Sequence, residues 1–211
     1  MDDLTEYYRR RAREYDAVYA KPERQDDLRR LRSAVVELVD GLRVLEVAAG
    51  TGYWTEVMAP AARSVLATDL AEETLAVARE RAYDGDVAFQ AVDVAELDRL
   101  GGEYDLVFAG FFWSHVPRAE AVDFVRRLGR RAPRVVLVDN LYVEGSSTPI
   151  RSVGDDTFQT RRLGDGSAYE VLKNFPRDGN VEADLRALGS EVRFEAFEYY
   201  WIATYFGGGA G

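Results

Sequence analysis

The sequence predicts an α/β protein in three layers, a largely parallel sheet covered on both faces by helices. Three observations carry that prediction. Short apolar runs rich in β-branched residues recur at 43–49, 64–69, 87–92, 104–110 and 134–139, and buried parallel strands read as runs of this kind. Stretches of helical periodicity separate them, which is the alternation that lays helices across a parallel sheet. The first run, RVLEVAA, stops at the breaker Gly50-Thr51-Gly52 and passes straight into a helical stretch.

Each element follows in order. Leu4, Tyr7, Tyr8, Ala12, Tyr15, Val18 and Tyr19 share one face at helical spacing, which predicts a helix over 4–19. A second helix begins near Pro22, a good first-turn residue, carries Leu28, Leu31, Val35, Leu38 and Val39 on one face, and stops at Gly41. Together these form a helical cap over 1–40. A helix follows the first strand to about Ala62. SVLATD precedes a helix at 71–82, VAFQAV a short one near 95–100, and YDLVFAG a helix over 118–130, before RVVLVD ends the series. After Asn140 the rhythm breaks. Residues 141–179 are rich in Gly, Ser, Pro and Asp, with a hairpin expected around Gly164-Asp165-Gly166; the insertion is too long for an ordinary connector and is expected to cover a site. A helix at 181–188 and strands at 191–197 and 199–206 return to core patterning, and 207–211 is expected to be a flexible tail. Residues 1–206 thus read as one domain.

Composition narrows the chemistry. The chain has 211 residues, of which 47% are apolar, the size and make-up of one large globular domain. No window approaches the roughly 20 apolar residues of a membrane span, and the start MDDLTEYYRRR lacks a signal-peptide core, so a cytoplasmic address and no membrane partner are expected. With no cysteine and one histidine, disulfides, thiol nucleophiles and a Cys- or His-rich metal centre fall away, and no metal is expected. A net charge of -10 opposes a nucleic-acid surface, which needs clustered cations. The expected partner is a small molecule. Lys21 and Lys173 are the sole lysines in an arginine-rich chain.

In an open parallel sheet, ligands bind beyond the carboxyl ends of the strands, where the strand order reverses. Glu46 lies near the end of the first strand, ahead of two glycines that let a ligand approach the backbone before a helix N-terminus. Asp69 ends the second strand, 69 − 52 = 17 residues beyond Gly52, where a carboxylate can accept both hydroxyls of a ribose. Asp93 follows the third strand and is placed to meet an exocyclic amine. Three acids at successive strand ends form a stronger constellation than any alone, since each singly could be a helix cap or a turn residue.

On these residues the chain resembles the class I S-adenosylmethionine-dependent methyltransferases. VLEVAAGTG is similar to their first motif, TDL to the ribose acid, VDV to the adenine acid, and YDLVFAGFFWSHVP to the fourth-strand motif, over about residues 1–140. Ala48 stands where the family often has its first glycine. The resemblance implies a Rossmann-like sheet of seven strands, the last antiparallel, and S-adenosyl-L-methionine as cofactor. It also implies that the N-terminal helix closes over that cofactor. By the same resemblance Glu46, Ala48, Gly50 and Gly52 would surround its methionine part, Asp69 and Leu70 the ribose, Asp93 and Val94 the adenine. Ala109, Gly110 and Phe111 would lie near the transferred methyl. The sulfonium is a cation, so aromatic faces suit it, and Tyr15, Tyr19 and Trp54 are candidates for that wall.

The competing cofactor is a nicotinamide dinucleotide, but its third glycine position is Thr55 here, which opposes the close helix packing that turn requires. A module that holds the cofactor without turnover is a second alternative. For a hydroxyl or phenol acceptor a base is needed, and His115 is the side chain whose unperturbed pKa is near neutrality; its alternative is a backbone hydrogen bond. Ser114 beside it lacks the nucleophile elbow of a hydrolase. Phe112, Trp113, Tyr142, Phe158, Tyr169 and Phe175 suggest an apolar acceptor pocket, and Arg151, Arg161 and Arg162 a contact for an anionic substrate group. The expected activity is methylation of a small, aromatic acceptor, at oxygen in preference to nitrogen or carbon.

Overall fold

The computed structural model describes residues 19–162, 166–176 and 180–207, with backbone alone at 180, 184 and 187–190. The N-terminal helix expected over 4–19 lies outside these residues except for Tyr19, as do most of the hairpin turn at 164–166 and residues 208–211.

A short turn of helix at Pro22–Arg24 leads into α1, Gln25–Val39. Leu28, Leu31, Val35 and Val39, three or four residues apart, are the apolar side chains it buries, beside the buried carboxylate of Asp27. Then β1 (Arg43–Val47), α2 (Tyr53–Met58), β2 (Ser64–Asp69), α3 (Glu72–Arg79), β3 (Val87–Ala91), a 3₁₀ turn at Val94–Arg99, β4 (Leu106–Gly110), α4 (Ala121–Gly129) and β5 (Arg134–Asn140) alternate as expected. The chain closes with α5 (Asn180–Leu188), β9 (Gly189–Ala196) and β10 (Tyr200–Gly207).

Seven strands form one sheet in the order β3-β2-β1-β4-β5-β10-β9. All pairs among the first five are parallel, and β10 runs antiparallel to both its neighbours. Side chains alternate between the two faces with the period of two that strands impose. Leu45, Val47, Val107, Ala109, Val135, Leu137, Trp201 and Ala203 pack with α4 and α5, whereas Val44, Leu106, Phe108, Val136, Val138 and Ile202 pack with α1 and α2. The strand order reverses between β1 and β4, and in sheets of this kind ligands bind beyond the carboxyl ends of the strands at that point.

Between β5 and α5 a separate antiparallel sheet is built from β6 (Ile150–Val153), β7 (Asp156–Arg162) and β8 (Ala168–Leu172). It is fastened to the segment after β4: Asn174 N donates to Ser114 O at 2.7 Å, Asn174 Nδ2 to Val116 O at 3.0 Å, and Arg118 N to Asp156 Oδ1 at 2.9 Å. Element ends shift by a few residues from the sequence expectation, and one shift bears on the expected tail. Gly207 belongs to β10, not to a tail: its N–H donates to Pro133 O at 3.0 Å, and a Cβ there would meet Gly129 O at 2.6 Å.

Candidate active site at the carboxyl ends of the sheet

The loop after β1 turns by left-handed backbone at Ala48 (φ 54°), Gly50 (φ 59°) and Gly52 (φ 81°). Ala48 adopts as an L-residue a conformation that glycine takes without penalty, and such strain clusters at functional sites. At Gly52 space also decides the residue: a Cβ would sit 2.2 Å from Tyr83 Oη, which is fixed by donating to Ala78 O at 2.7 Å. Beneath the loop Glu46 is buried and accepts a hydrogen bond from Thr55 Oγ1. Burial, with a smaller contribution from the nearby Asp69 charge, pushes Glu46 up to about 8. Thr55 therefore uses the third-glycine position of a dinucleotide turn to hold an acid, a task for which glycine has no side chain.

Asp69 points at this loop. Its Oδ2 accepts from Gly50 N at 2.9 Å and its Oδ1 from Ala71 N at 3.0 Å, an orientation that leaves each oxygen a further lone pair. Burial raises its carboxyl above the ordinary value, against those hydrogen bonds. The adjoining Leu70 is 58% exposed, an apolar side chain on the lip of the crevice. Asp93 is exposed and caps the Val94–Arg99 turn by accepting from Ala95 N at 2.8 Å, while Val94 is half-buried beside it. The capping alternative for Asp93 is thus realised in the structure.

Across the crevice, Ala109 is buried and Gly110 is required, because a Cβ there would lie 2.6 Å from Trp54 Cδ1. Phe111 takes a left-handed φ of 57° at the end of β4. Its ring joins Tyr19 (5.6 Å between centroids), Trp54 (6.0 Å) and Tyr200 (5.6 Å), and Tyr19 stacks on Tyr53 at 3.6 Å. Tyr19 and Trp54, expected as one aromatic wall, form a cluster with Phe111, Tyr53 and Tyr200. Tyr15 lies outside the described residues.

Past Phe111 the chain turns inward, and two expected acceptor contacts are corrected. Phe112 packs on Phe124 and Trp113 stands edge-on to Trp201, each at 5.6 Å, in the core beneath α4. The left-handed turn at Phe111 redirects the segment, so apolar character there serves packing. Tyr142 is 39% exposed and packs edge-on to Phe175 at 5.5 Å. Arg151 forms an exposed ion pair with Glu170, whereas Arg161 donates to Thr148 Oγ1 at 3.1 Å and Gln159 Oε1 at 2.6 Å.

His115 donates from Nδ1 to Leu172 O at 2.7 Å, because a carbonyl only accepts; Nε2 therefore carries the imidazole lone pair. Burial, then the neighbouring Lys173 charge, lowers its pKa well below the histidine range. Next to it Asp139, at the end of β5, is wholly buried. It accepts from Ser114 N (2.9 Å), Ser114 Oγ (3.0 Å), Asn140 N (2.8 Å) and Lys173 Nζ (3.1 Å). Burial alone would raise this carboxyl; the Lys173 ammonium and the backbone donors hold it below the usual value. Among the described residues, no group of three or more His, Cys, Asp or Glu could hold a metal ion, and no helix is long and apolar enough to cross a membrane.

Residues 44–132 match the family model described as a methyltransferase domain. The whole chain is similar to the solved DhpI-SAM-HEP complex, with 28% identity and a TM-score of 0.75 over 96% of this chain and 95% of that one. The chain is thus similar to S-adenosylmethionine-dependent methyltransferases, in sequence over residues 44–132 and in fold over nearly its whole length. Over 87 residues the chain is 38% identical to the ubiquinone biosynthesis O-methyltransferase of Bordetella avium (strain 197N), a match covering 40% of the chain and 36% of that protein. Over 93 residues it is 31% identical to phosphoethanolamine N-methyltransferase 1 of Caenorhabditis elegans, covering 44% of the chain and 20% of that protein. The aligned stretch thus spans about a third or less of these curated relatives.

Sequence reasoning passed over Asp139, Lys173, Lys21 and Arg24. Asp139 was within reach, since it ends the fifth strand as Asp69 ends the second. Lys173 carried the signal of rarity, being one of two lysines. The placement of Lys21 and Arg24 against the far segment 140–146 is a long-range contact that periodicity does not encode.

Proposed function

We propose that this methyltransferase transfers a methyl group from S-adenosylmethionine to an oxygen of a small acceptor with aromatic character. The observation that carries the reading is the Asp69 carboxylate, tied to Gly50 N at the switch point between β1 and β4 and flanked by the exposed Leu70. The residues fit the group. At Gly50 a Cβ would meet nothing within 4 Å, so the loop backbone there is open to the methionine part, together with Glu46, Ala48 and Gly52. Asp69 and Leu70 suit the ribose, and Asp93 with Val94 the adenine. Ala109, Gly110, Phe111, Tyr19, Trp54 and Tyr15 suit the region of the sulfonium, for which ring faces are favourable neighbours. When bound, the cofactor supplies an already activated methyl, so the protein's task is alignment of the acceptor and exclusion of water.

On the acceptor side, His115, Tyr142 and Arg161 are the residues proposed to meet the substrate. The lowered pKa of His115 makes it a weak proton acceptor at neutral pH, so its role here is to position the acceptor through Nε2. Oxygen is favoured over nitrogen because a protonated amine would approach against the Lys173 and Arg161 charges. Titration of the chain with S-adenosylhomocysteine and, separately, with NAD tests the cofactor. Labelled S-adenosylmethionine with a panel of phenols, acids and amines tests transfer. Binding of NAD in place of S-adenosylhomocysteine overturns the reading; binding without transfer to any acceptor reduces it to a cofactor-holding module.

A further inference from the structure

Trp54 is 3% exposed, and its indole Nε1 is buried with no hydrogen-bond partner among the described residues. A donor buried in this way carries a cost that most native polar groups avoid. Ring faces enclose it: Phe108 lies at 5.6 Å between centroids, Phe111 at 6.0 Å and Tyr53, edge-on, at 5.4 Å. Those faces offer π electrons and no oxygen lone pair, a much weaker acceptor. Gly110 shows where the N–H stands. A Cβ on that residue would lie 2.6 Å from Trp54 Cδ1 and 2.9 Å from Nε1, so the indole edge fills the volume of a side chain at the end of β4. Gly110 itself is half-buried, which leaves room for ligand atoms to approach beside that edge. Trp201 Nε1 is likewise buried without a partner, but it sits in the core, edge-on to Trp113 and stacked on Phe194. Place separates the two indoles. The unanswered N–H of Trp54 lies at the switch point, where sheets of this kind bind ligands.

We propose that Trp54 recognises the carboxylate of the cofactor's amino-acid part through a hydrogen bond donated by Nε1. The inference rests on the methyl-transfer reading above and gives the indole edge a binding role distinct from that of a ring face beside the sulfonium. Two observations point to this carboxylate. The proposed ribose and adenine contacts, Asp69 and Asp93, follow β2 and β3 on the far side of β1 from β4. The part of the cofactor that reaches from the glycine loop to the end of β4 is therefore its amino-acid end. In addition, Lys21, Arg24 and Lys173 already have acceptors in Ser146, Asn140 and Asp139, whereas the Trp54 N–H has none. An anionic oxygen answers such a donor best, because a charge-assisted hydrogen bond is the stronger one where water is excluded.

The test titrates the intact chain and its Trp54→Phe variant calorimetrically with S-adenosylhomocysteine and with methylthioadenosine, which keeps the adenosine and the thioether and lacks the carboxylate. Phenylalanine keeps a ring and removes the N–H. The expected result is a loss of about tenfold in S-adenosylhomocysteine affinity, the scale of one hydrogen bond to a charged group, with methylthioadenosine affinity unchanged. In the native chain labelled with a nitrogen isotope, the assigned indole N–H resonance of Trp54 should move downfield with S-adenosylhomocysteine and not with methylthioadenosine. That readout needs no substitution and decides the matter even where Trp54→Phe does not fold. Equal weakening of both ligands in the variant overturns the proposal, because ring packing alone would then account for Trp54. Unchanged S-adenosylhomocysteine affinity overturns it too, as does an indole resonance that moves alike with both ligands. Failure of the native chain to bind either ligand is a separate result that removes the methyl-transfer reading itself.

Discussion

Asp69 holds the local backbone, and the proposed ribose contact asks the same carboxylate to meet a ligand as well. Its oxygens hold the backbone of Gly50 and Ala71 and still present lone pairs to the crevice. Replacing it with Ala is expected to raise the dissociation constant for S-adenosylhomocysteine by roughly 10- to 100-fold, the scale of a lost hydrogen bond to a charged group. Calorimetry checks this. Glu46 leads to a prediction in pH. Folded, burial pushes it up to about 8, against an ordinary value of 4.5. The folded state therefore holds the proton more tightly. The stability this contributes is complete below about pH 4.5 and is lost as pH rises through about 8, at roughly 1.4 kcal/mol per pH unit. Glu46→Gln should flatten that slope in melting temperatures recorded from pH 5 to 9. For His115→Ala, turnover should fall by less than the roughly 10²-fold that marks loss of a general base, with an unaltered pH profile across neutrality. A limb near pH 7 that vanishes in the variant would return His115 to the role of base.

At the scale of elements, the turn between β1 and α2 is set by what lies behind it. The αL backbone of Gly52 and the Tyr83 hydroxyl exclude a side chain for two separate reasons. Gly52→Ala is expected to destabilise the protein by roughly 1–3 kcal/mol. In a Tyr83→Phe background the collision is relieved and the backbone strain is not, so the additional loss should shrink toward about 1 kcal/mol. Denaturant unfolding of the four proteins in this cycle measures both parts. The recurring strands and helices were legible because burial on both faces forces apolar runs, and the amphipathic face of α1 forces its spacing. Phe112 and Trp113 were misread for the same reason. An apolar side chain at a strand end has the same character whether it faces a ligand or the core, and the left-handed turn at Phe111 decided between them.

Over the whole molecule, the small sheet β6-β7-β8 is joined to the rest by polar groups, chiefly Lys173 against Asp139, Asn174 against Val116 and Asp156 against Arg118 N. Both members of the ion pair are buried, and removal of one partner strands the other charge in a low-dielectric setting. Lys173→Met should accordingly reduce unfolding free energy by about 3–5 kcal/mol, and adding Asp139→Asn, which removes the stranded charge while keeping an acceptor, should recover most of it. Urea titration of the single and double variants is the measurement.

Residue order and type were enough to establish the alternating architecture, the glycine turn and the acids at successive strand ends, because each is a local consequence of burial period or backbone freedom. Chain folding brought about the rest. Lys21 and Arg24 meet Ser146 across more than a hundred residues, and Arg161 and Lys173 come from strands of a second sheet. His115 loses its ordinary titration because burial and Lys173 surround it. Such effects depend on distance through space and on the exclusion of water, and a linear pattern of residues carries neither.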